Sequence, residues 1–258
     1  MKLLSWILAA IALVQPGLRA EQKELVVGME MSYPPFEMLD SGGQPAGISV
    51  DLAREMGKNL NLPVRFENIP FDGLIPSLKT GKIDVIISSL TMTEDRKKSI
   101  DFSEPYLRMG LAMLVNKNSD IQSIADVDKA QRRVVVKKAT TGNIYAIQHL
   151  RNAKLLVLND ESACSIEVSQ GKADCFIYDQ ISVFQNWKKF QDTTRAILQP
   201  FQQEEWAMGV RKGNDELCQK INSFIAGFKS SGGFEALGRK YLSENKEAFQ
   251  QLGIPFYF

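Results

Sequence analysis

Arg96 follows a run of hydroxyl side chains that includes Ser89 and Thr91. The planar guanidinium group of an arginine matches a carboxylate, and neighbouring hydroxyls and free N–H groups can complete an anion site. Farther along the chain, Thr141 begins a helical pattern whose first amides favour the same anion. Asp179 supplies the negative partner that an ammonium group requires. These residue types suit the binding of a small zwitterion.

No signature of a catalytic site occurs in the sequence. It has no nucleophile elbow and no phosphate-binding loop, and its only histidine is His149. No pair among the 3 cysteines has the spacing of zinc ligands. We therefore expect a protein that is not an enzyme and that holds neither a metal nor a cofactor. Because 3 is an odd number and Cys175 lies in an apolar run, unpaired buried thiols are the simplest interpretation, although a disulfide stays open.

The composition is that of an ordinary globular protein. The chain has 258 residues, of which 44% are hydrophobic and 24% charged. Such a chain can bury enough apolar surface to offset the entropy lost on ordering, so we expect a compact fold. With 31 Lys and Arg against 30 Asp and Glu, no global field attracts a polyanion, and nucleic acid is not an expected partner.

The first twenty residues have the pattern of a secretory signal peptide. Lys2 precedes an apolar run over residues 3–14, and small or turn-forming residues lead to Ala20. The run is too short to cross a bilayer, which takes about 20 residues. We expect cleavage after Ala20 and export of the mature protein to the periplasm.

The rest of the chain alternates short apolar runs with helical patterns. The near-continuous apolar run over residues 83–87 predicts a strand buried on both faces, which is typical of parallel sheets in α/β proteins. It follows a helical pattern that begins after Asp72, a candidate N-cap, and ends at Gly81. Near the C-terminus, five apolar residues follow a helical period: Leu217, Ile221, Phe224, Ile225 and Phe228.

A faint repeat links two halves of this pattern. Residues 81–89 align without a gap on residues 171–179, and each copy leads from a glycine through a buried strand to a polar residue. Two α/β lobes of similar plan are the simplest interpretation. Ligands of open α/β sheets bind outside the carboxyl ends of the strands. We therefore expect the residues at four such ends to point toward one place if the lobes face each other: Glu30, Ser89, Lys137 and Asp179.

Six motifs follow one another in a characteristic order along the chain. They are Tyr33-Pro34-Pro35-Phe36-Glu37, Asp72-Gly73-Leu74-Ile75-Pro76-Ser77-Leu78, Asp84, Ser88-Ser89-Leu90-Thr91-Met92-Thr93-Glu94-Asp95-Arg96, Asp101-Phe102-Ser103-Glu104-Pro105-Tyr106 and Ala139-Thr140-Thr141-Gly142. Together, over residues 24–242, they resemble the periplasmic polar-amino-acid-binding proteins of ABC importers, solute-binding protein family 3. Each motif alone is a weak signal, and their order makes them jointly specific.

The resemblance implies a two-lobed α/β fold of the type II periplasmic-binding class, with a hinge and a ligand cleft between the lobes. It places residues 21–112 and 208–258 in the first lobe and residues 113–207 in the second. The chain is expected to cross between the lobes near residues 112–116 and 205–209. Implied partners are a small amino acid and the membrane permease of the importer, and the protein is expected to be a monomer.

The resemblance also implies a role for each candidate site residue. Arg96 would bind the ligand α-carboxylate, helped by Thr91, Ser89 and Thr141, whereas Asp179 would bind the α-amino group. Tyr33 and Phe71 would pack on the aliphatic stem of the ligand, and Glu30 and Lys137 would contact its side chain. One departure is that Ala139 replaces the glycine usual before the two threonines, which affects how closely this loop approaches the ligand.

Several of these residues also have a purely structural interpretation. Arg96 can be a solvated helix charge, and Lys137, next to another lysine, can be a surface charge. Asp179 can cap the following helix. Tyr33 and Phe71 can be core aromatics.

Two functions follow from these observations. The first is a binding protein that closes on a polar amino acid. Glu30 and Lys137 are both expected near the side-chain pocket, which favours a ligand with a neutral amide side chain. Glutamine is therefore the first choice, followed by asparagine or histidine. Arginine or lysine is the alternative if Lys137 faces solvent. The second is a periplasmic dehydratase of the cyclohexadienyl type on the same fold, with Glu30 as proton donor.

Overall fold

A computed structural model describes residues 24–254, so the predicted signal peptide and its cleavage after Ala20 lie outside the described residues. The strands are β1 (Leu25–Met29), β2 (Ser32–Tyr33), β3 (Glu37–Leu39), β4 (Pro45–Ala46), β5 (Val64–Asn68), β6 (Val85–Ile86), β7 (Ile100–Phe102), β8 (Leu107–Asn116), β9 (Arg133–Lys137), β10 (Lys154–Leu158), β11 (Cys175–Asp179), β12 (Thr194–Trp206) and β13 (Gly209–Arg211). The α-helices are α1 (Ile48–Leu60), α2 (Leu74–Thr80), α3 (Glu94–Lys97), α4 (Thr141–His149), α5 (Glu161–Ser169), α6 (Gln180–Lys189), α7 (Asp215–Ser230), α8 (Gly233–Tyr241) and α9 (Ser243–Gln251).

Two five-stranded sheets define two lobes. The sheet of lobe 1 (residues 24–102 and 209–242) has the strand order β5-β1-β6-β13-β7, and that of lobe 2 (residues 107–206) has the order β10-β9-β11-β8-β12. The neighbours β5, β1 and β6 are parallel in lobe 1, as are β10, β9 and β11 in lobe 2. The α/β alternation predicted from the sequence is therefore present in both halves of the repeat.

The chain passes between the sheets at residues 103–106 and 207–208. These two segments lie side by side, since the Ser103 amide donates to the Met208 carbonyl and the Tyr106 amide donates to the Trp206 carbonyl, both at 2.9 Å. The boundary predicted after residue 112 falls inside β8, whose residues 107–111 pair with β12 of lobe 2. The crossing precedes β8, and the apolar run of β8 does not reveal which sheet the strand joins, so the sequence placed the boundary too late in the chain.

The last helix also departs from the predicted division of the chain. Residues 208–258 were assigned to lobe 1, yet α9 packs on α6 of lobe 2. The rings of Phe249 and Phe184 meet edge to face with centroids 5.8 Å apart, and the Gln185 amide donates to Asn245 at 2.9 Å. The C-terminal helix therefore forms a further connection between the lobes.

The helix patterns read from the sequence are confirmed, apart from one cap. In α7 the buried residues are Ile221, Phe224 and Ile225. The expected cap Asp72 lies in a 3-10 turn before α2 and makes no capping hydrogen bond. Its carboxylate instead lies 2.9 Å from the Lys138 ammonium of lobe 2.

All three cysteine thiols are unpaired, and Cys164 and Cys175 are buried. None of the helices between residues 24 and 254 is long and apolar enough to span a membrane.

Candidate functional site

A cavity with about 420 Å³ of atom-free space, part of it open to solvent, lies between the two lobes. Eight of the nine site residues predicted from the sequence line it: Glu30, Tyr33, Phe71, Ser89, Thr91, Arg96, Thr141 and Asp179. The ninth, Lys137, lies behind the lining in contact with Glu30. The remaining lining residues are Glu37, Ser88, Leu111, Thr140, Tyr178, Glu204 and Trp206. The carboxyl ends of strands from both sheets therefore meet at one place, as the strand-end rule predicts.

Arg96 lies on the short helix α3, whose N-terminus is capped by the Thr93 hydroxyl. Its guanidinium donates to the Thr91 carbonyl at 2.6 Å and, across the cleft, to the Ala139 carbonyl at 2.9 Å. Burial lowers the pKa of Arg96 to about 10, so the group stays charged at neutral pH. Only 7% of the residue is exposed, which excludes the interpretation as a solvated helix charge.

Asp179 ends β11 and has two tasks. One carboxylate oxygen accepts from the Ser182 amide at 3.0 Å and caps α6, as the structural interpretation of this residue predicts. The other accepts from the Tyr33 hydroxyl of lobe 1. Burial raises the pKa of Asp179 to about 7. The same carboxylate therefore both caps a helix and faces the cleft.

Lys137 ends β9 and contacts the carboxylate of Glu30, which follows β1 of lobe 1. The side chain of Lys137 is only 2% exposed, so it is not a surface charge. Phe71 lies next to two cations, since its ring centroid is 5.5 Å from the Arg96 guanidinium and 5.7 Å from the Lys137 ammonium. Lys137, Glu30 and Phe71 thus form a compact charged wall across the two lobes.

The backbone around the second-lobe loop is tightly constrained. Ala139 has a φ of 63°, a left-handed conformation that favours glycine and costs a residue with a Cβ about 1 kcal/mol. Alanine therefore keeps the backbone conformation that the usual glycine would favour, and its carbonyl is free to accept from Arg96. A Cβ at Gly142 would lie 2.5 Å from the Ile177 carbonyl oxygen, so α4 can approach β11 this closely only with glycine there.

Glu37 was not identified as a site residue, although it lies in the first motif of the resemblance. Its carboxyl group is buried and accepts from the hydroxyls of Ser49 at 2.6 Å, Ser89 at 3.2 Å and Ser88 at 3.3 Å. Burial raises the pKa of Glu37 to about 8, against the effect of these hydroxyls. Ser49 and the adjacent pair Ser88 and Ser89 lie on two segments separate from Glu37, so no local sequence pattern predicts the cluster.

Glu204 was also missed. It lies on β12 near the crossing, is buried, and accepts from the Thr91 hydroxyl at 2.9 Å. The only available signal was strand alternation, which places Glu204 and its neighbour Glu205 on opposite faces.

The site offers hydrogen-bond donors and acceptors of both charges but no metal ligands. Residues 24–254 contain no group of three or more His, Cys, Asp and Glu side chains that could hold a metal ion. The cavity can therefore bind a small charged molecule with polar groups at both ends.

Comparisons with known proteins agree with this architecture. Residues 25–244 match the family described as bacterial extracellular solute-binding proteins, family 3. The L-cystine-binding protein TcyJ of Escherichia coli (strain K12) is 28% identical over 221 residues, which cover 86% of this chain and 83% of that protein.

Two solved structures are similar throughout. An ancestral arginine-binding protein bound to glutamine has a TM-score of 0.79 and 33% identity, covering 85% of this chain and 97% of that one. An ancestral amino acid-binding protein described as a precursor of cyclohexadienyl dehydratase has a TM-score of 0.78 and 32% identity, covering 85% and 95%. These similarities confirm the two-lobed α/β fold. The chain belongs to the bacterial extracellular solute-binding proteins of family 3.

Proposed function

We propose that this protein is the periplasmic binding component of an amino-acid ABC importer and closes on a polar L-amino acid. One observation carries the proposal. Arg96 and Asp179 line the same cavity and are 7% and 6% exposed, yet within residues 24–254 neither has an oppositely charged group at ion-pair distance, and Glu204 attracts Arg96 only from farther away. Buried charges are stable when paired, and a zwitterion supplies one partner to each.

The proposed ligand would place its α-carboxylate at Arg96 and its α-ammonium at Asp179. Thr91, Ser89 and Thr141 would add hydroxyl or amide contacts to the carboxylate, and Tyr33 and Phe71 would border the aliphatic stem. Because Arg96 belongs to lobe 1 and Asp179 to lobe 2, the complete site exists only when the lobes are together. All of these residues come from one chain, so we propose a monomer that delivers its ligand to a membrane permease.

The charge of the wall formed by Lys137, Glu30 and Phe71 favours a ligand with a neutral side chain. Lys137 and Glu30 contact each other, so their opposite charges neutralise each other. The wall therefore requires neither a cationic nor an anionic ligand. A binding mode for arginine or lysine that needs Lys137 in solvent is disfavoured, because the Lys137 side chain is buried. We therefore place glutamine first and arginine or lysine second. The solved ancestral arginine-binding protein with glutamine bound indicates that relatives accept both classes.

A thermal-shift panel of the twenty amino acids tests the proposal. A ligand that binds only the native state raises its unfolding temperature by an amount that grows with ligand concentration over Kd. We expect glutamine to give the largest shift and to lose it in the variant Arg96→Ala. A panel in which no amino acid shifts the transition would contradict the proposed ligand class.

The alternative function is a dehydratase, favoured by the likeness to the precursor of cyclohexadienyl dehydratase. That function needs an acidic proton on Glu30, but the two oxygens of Glu30 are engaged by the Lys137 ammonium and, at 3.3 Å, by the Phe71 amide. We therefore expect no product after incubation with prephenate or arogenate. Product formation that is lost in Glu30→Gln would favour the enzyme.

A further inference from the structure

Glu204 is a buried carboxylate to which the proposed binding mode gives no task. Only 5% of it is exposed, and it lies on β12 just before the crossing between lobes. The adjacent Glu205 is only partly buried and pairs with Arg108 at 2.9 Å, on the other face of the strand, as the alternation of side chains predicts. The two neighbouring carboxylates therefore have different environments, one in the cleft and one at the surface.

The partners of Glu204 are those proposed for the ligand carboxylate. One oxygen accepts from the Thr91 hydroxyl of lobe 1 at 2.9 Å, and the other accepts from the Gln202 amide at 3.2 Å. The Arg96 guanidinium attracts the same carboxylate, and Thr141 of lobe 2 lines the same cavity. The anion half of the cleft thus already holds a carboxylate from the protein itself.

A second carboxylate cannot join this arrangement without a cost. Two like charges in a buried site repel each other, and such a juxtaposition costs several kcal/mol in protein interfaces. Asp179 also acts on Glu204, and where its carboxyl group is ionised it adds repulsion and no compensating attraction. The Arg96 guanidinium would have to serve both carboxylates.

We propose that Glu204 is an internal competitor for the carboxylate subsite, which the ligand must displace from Thr91 in order to bind. The inference rests on the proposed amino-acid ligand. Displacing the Glu204 carboxylate weakens the equilibrium affinity for the ligand. The same carboxylate can occupy the subsite again when the ligand leaves. Glu204 would thus set the affinity of the binding protein without contacting the ligand side chain.

The test compares two ligands that differ only at the carboxylate. L-glutamine carries it, whereas L-glutaminamide replaces it with a neutral amide. In Glu204→Gln we expect Kd for L-glutamine to fall by about tenfold or more, and Kd for L-glutaminamide to change by less than about twofold, because only the first ligand is repelled by Glu204. The neighbouring variant Glu205→Gln is the matched control and should leave both values unchanged.

Two outcomes would overturn the inference. A weaker affinity of Glu204→Gln for both ligands would make Glu204 an acceptor for the ligand ammonium. An equal increase in affinity for both ligands would mean that Glu204 affects how the lobes come together and not the carboxylate subsite. If Glu204→Gln does not fold, judged by circular dichroism, Glu204→Ala is used, and we expect the same difference between the acid and the amide.

A measurement without any amino acid separates this inference from the proposed function. Sodium acetate is the simplest carboxylate, and the ¹⁵N-labelled side chain of Arg96, assigned from its loss in Arg96→Lys, reports its arrival. We expect acetate to shift this resonance at a concentration at least about fivefold lower in Glu204→Gln than in the parent or in Glu205→Gln. Identical titrations in all three proteins would refute the inference. Failure of every amino acid to bind, with this acetate difference present, would refute only the proposed ligand class.

Discussion

The hydroxyl of Tyr33 in lobe 1 donates a hydrogen bond to the carboxylate of Asp179 in lobe 2. Three further polar contacts join the lobes around the cleft: Lys137 with Glu30, Lys138 with Asp72, and Arg96 with the Ala139 carbonyl. Three of these four contacts use groups to which the proposed function assigns the ligand. Most of the side chains that hold the lobes together are therefore the ones that would also bind the ligand.

The variant Arg96→Ala should weaken binding of the amino acid by about 30-fold to several thousand-fold. Truncating one partner of a buried charged pair costs roughly 2–5 kcal/mol, because the other charge is left unpaired. Titration calorimetry measures the loss. Lys97→Ala removes a neighbouring cation that pairs with Glu94 at 2.8 Å, and it should leave Kd unchanged. A loss below about threefold in Arg96→Ala would exclude this residue as the carboxylate anchor.

Binding should weaken as the pH falls below 7. The raised pKa of Asp179, about 7, means that this group is increasingly protonated in the free protein at lower pH, whereas the ligand ammonium needs the carboxylate. Each ligand then displaces a proton, and Kd rises by up to about tenfold per pH unit. Calorimetry between pH 5 and 8, in buffers of different ionisation enthalpy, measures both quantities. Asp179→Asn should bind weakly without this pH dependence, and an affinity that rises toward acid would contradict the assignment.

Ligand should shift the protein toward a more compact form. The ion pair between Lys138 and Asp72 lies at the rim of the cleft and joins the lobes at 2.9 Å. Solution scattering should therefore give Lys138→Ala a larger radius of gyration than the parent without ligand, and saturating ligand should reduce it in both. Lys98→Ala, which removes a pair within lobe 1, is the control. A radius that ligand leaves unchanged, with binding demonstrated in the same sample, would indicate a rigid pocket.

The stability of the protein should decrease as the pH rises from 5 to 8, and Glu37 should account for part of this loss. The pKa of Glu37 is about 8 in the native state against 4.5 normally, so over this range the native state binds more protons than the unfolded state. The free energy of unfolding then falls with pH. In Glu37→Gln the fall should be smaller by on the order of 2 kcal/mol, measured by urea unfolding. The exposed control Glu94→Gln should retain the full decrease, and equal decreases in all three proteins would refute the role of Glu37.

The wall formed by Lys137, Glu30 and Phe71 should select for a neutral side chain. In competition assays we expect glutamine to displace a bound label at least about tenfold better than arginine, because the matched charges of Lys137 and Glu30 leave no site for an added cation. Lys137→Ala should weaken glutamine binding and spare or improve arginine binding. Lys154→Ala, on the edge strand of lobe 2, should change neither. The reverse order of affinities in the parent would refute the paired-charge argument.

The local pattern of the sequence was sufficient to predict which segments end at the cleft. Buried parallel strands read as apolar runs, and the polar residue after each run marks its carboxyl end. Residues such as Ser89 and Asp179 could therefore be assigned to the cleft from their place in the repeat alone. The motif around Arg96 added the chemistry of an anion site, and the structure brings these residues to one cavity.

Only the tertiary structure determined which partners each charged group contacts. Lys137 looks like one of two surface lysines in the sequence, yet it is buried against Glu30, 107 positions away. The hydrogen-bond partners of Glu37 and Glu204 include hydroxyl groups on other segments of the chain, and for Glu204 this hydroxyl belongs to the opposite lobe. The crossing at residues 103–106 was predicted too late in the chain for a related reason, since the apolar run of β8 does not reveal which sheet the strand joins. Periodicity reports which face of an element is buried, whereas pairing and protonation depend on contacts between distant segments that only the folded chain creates.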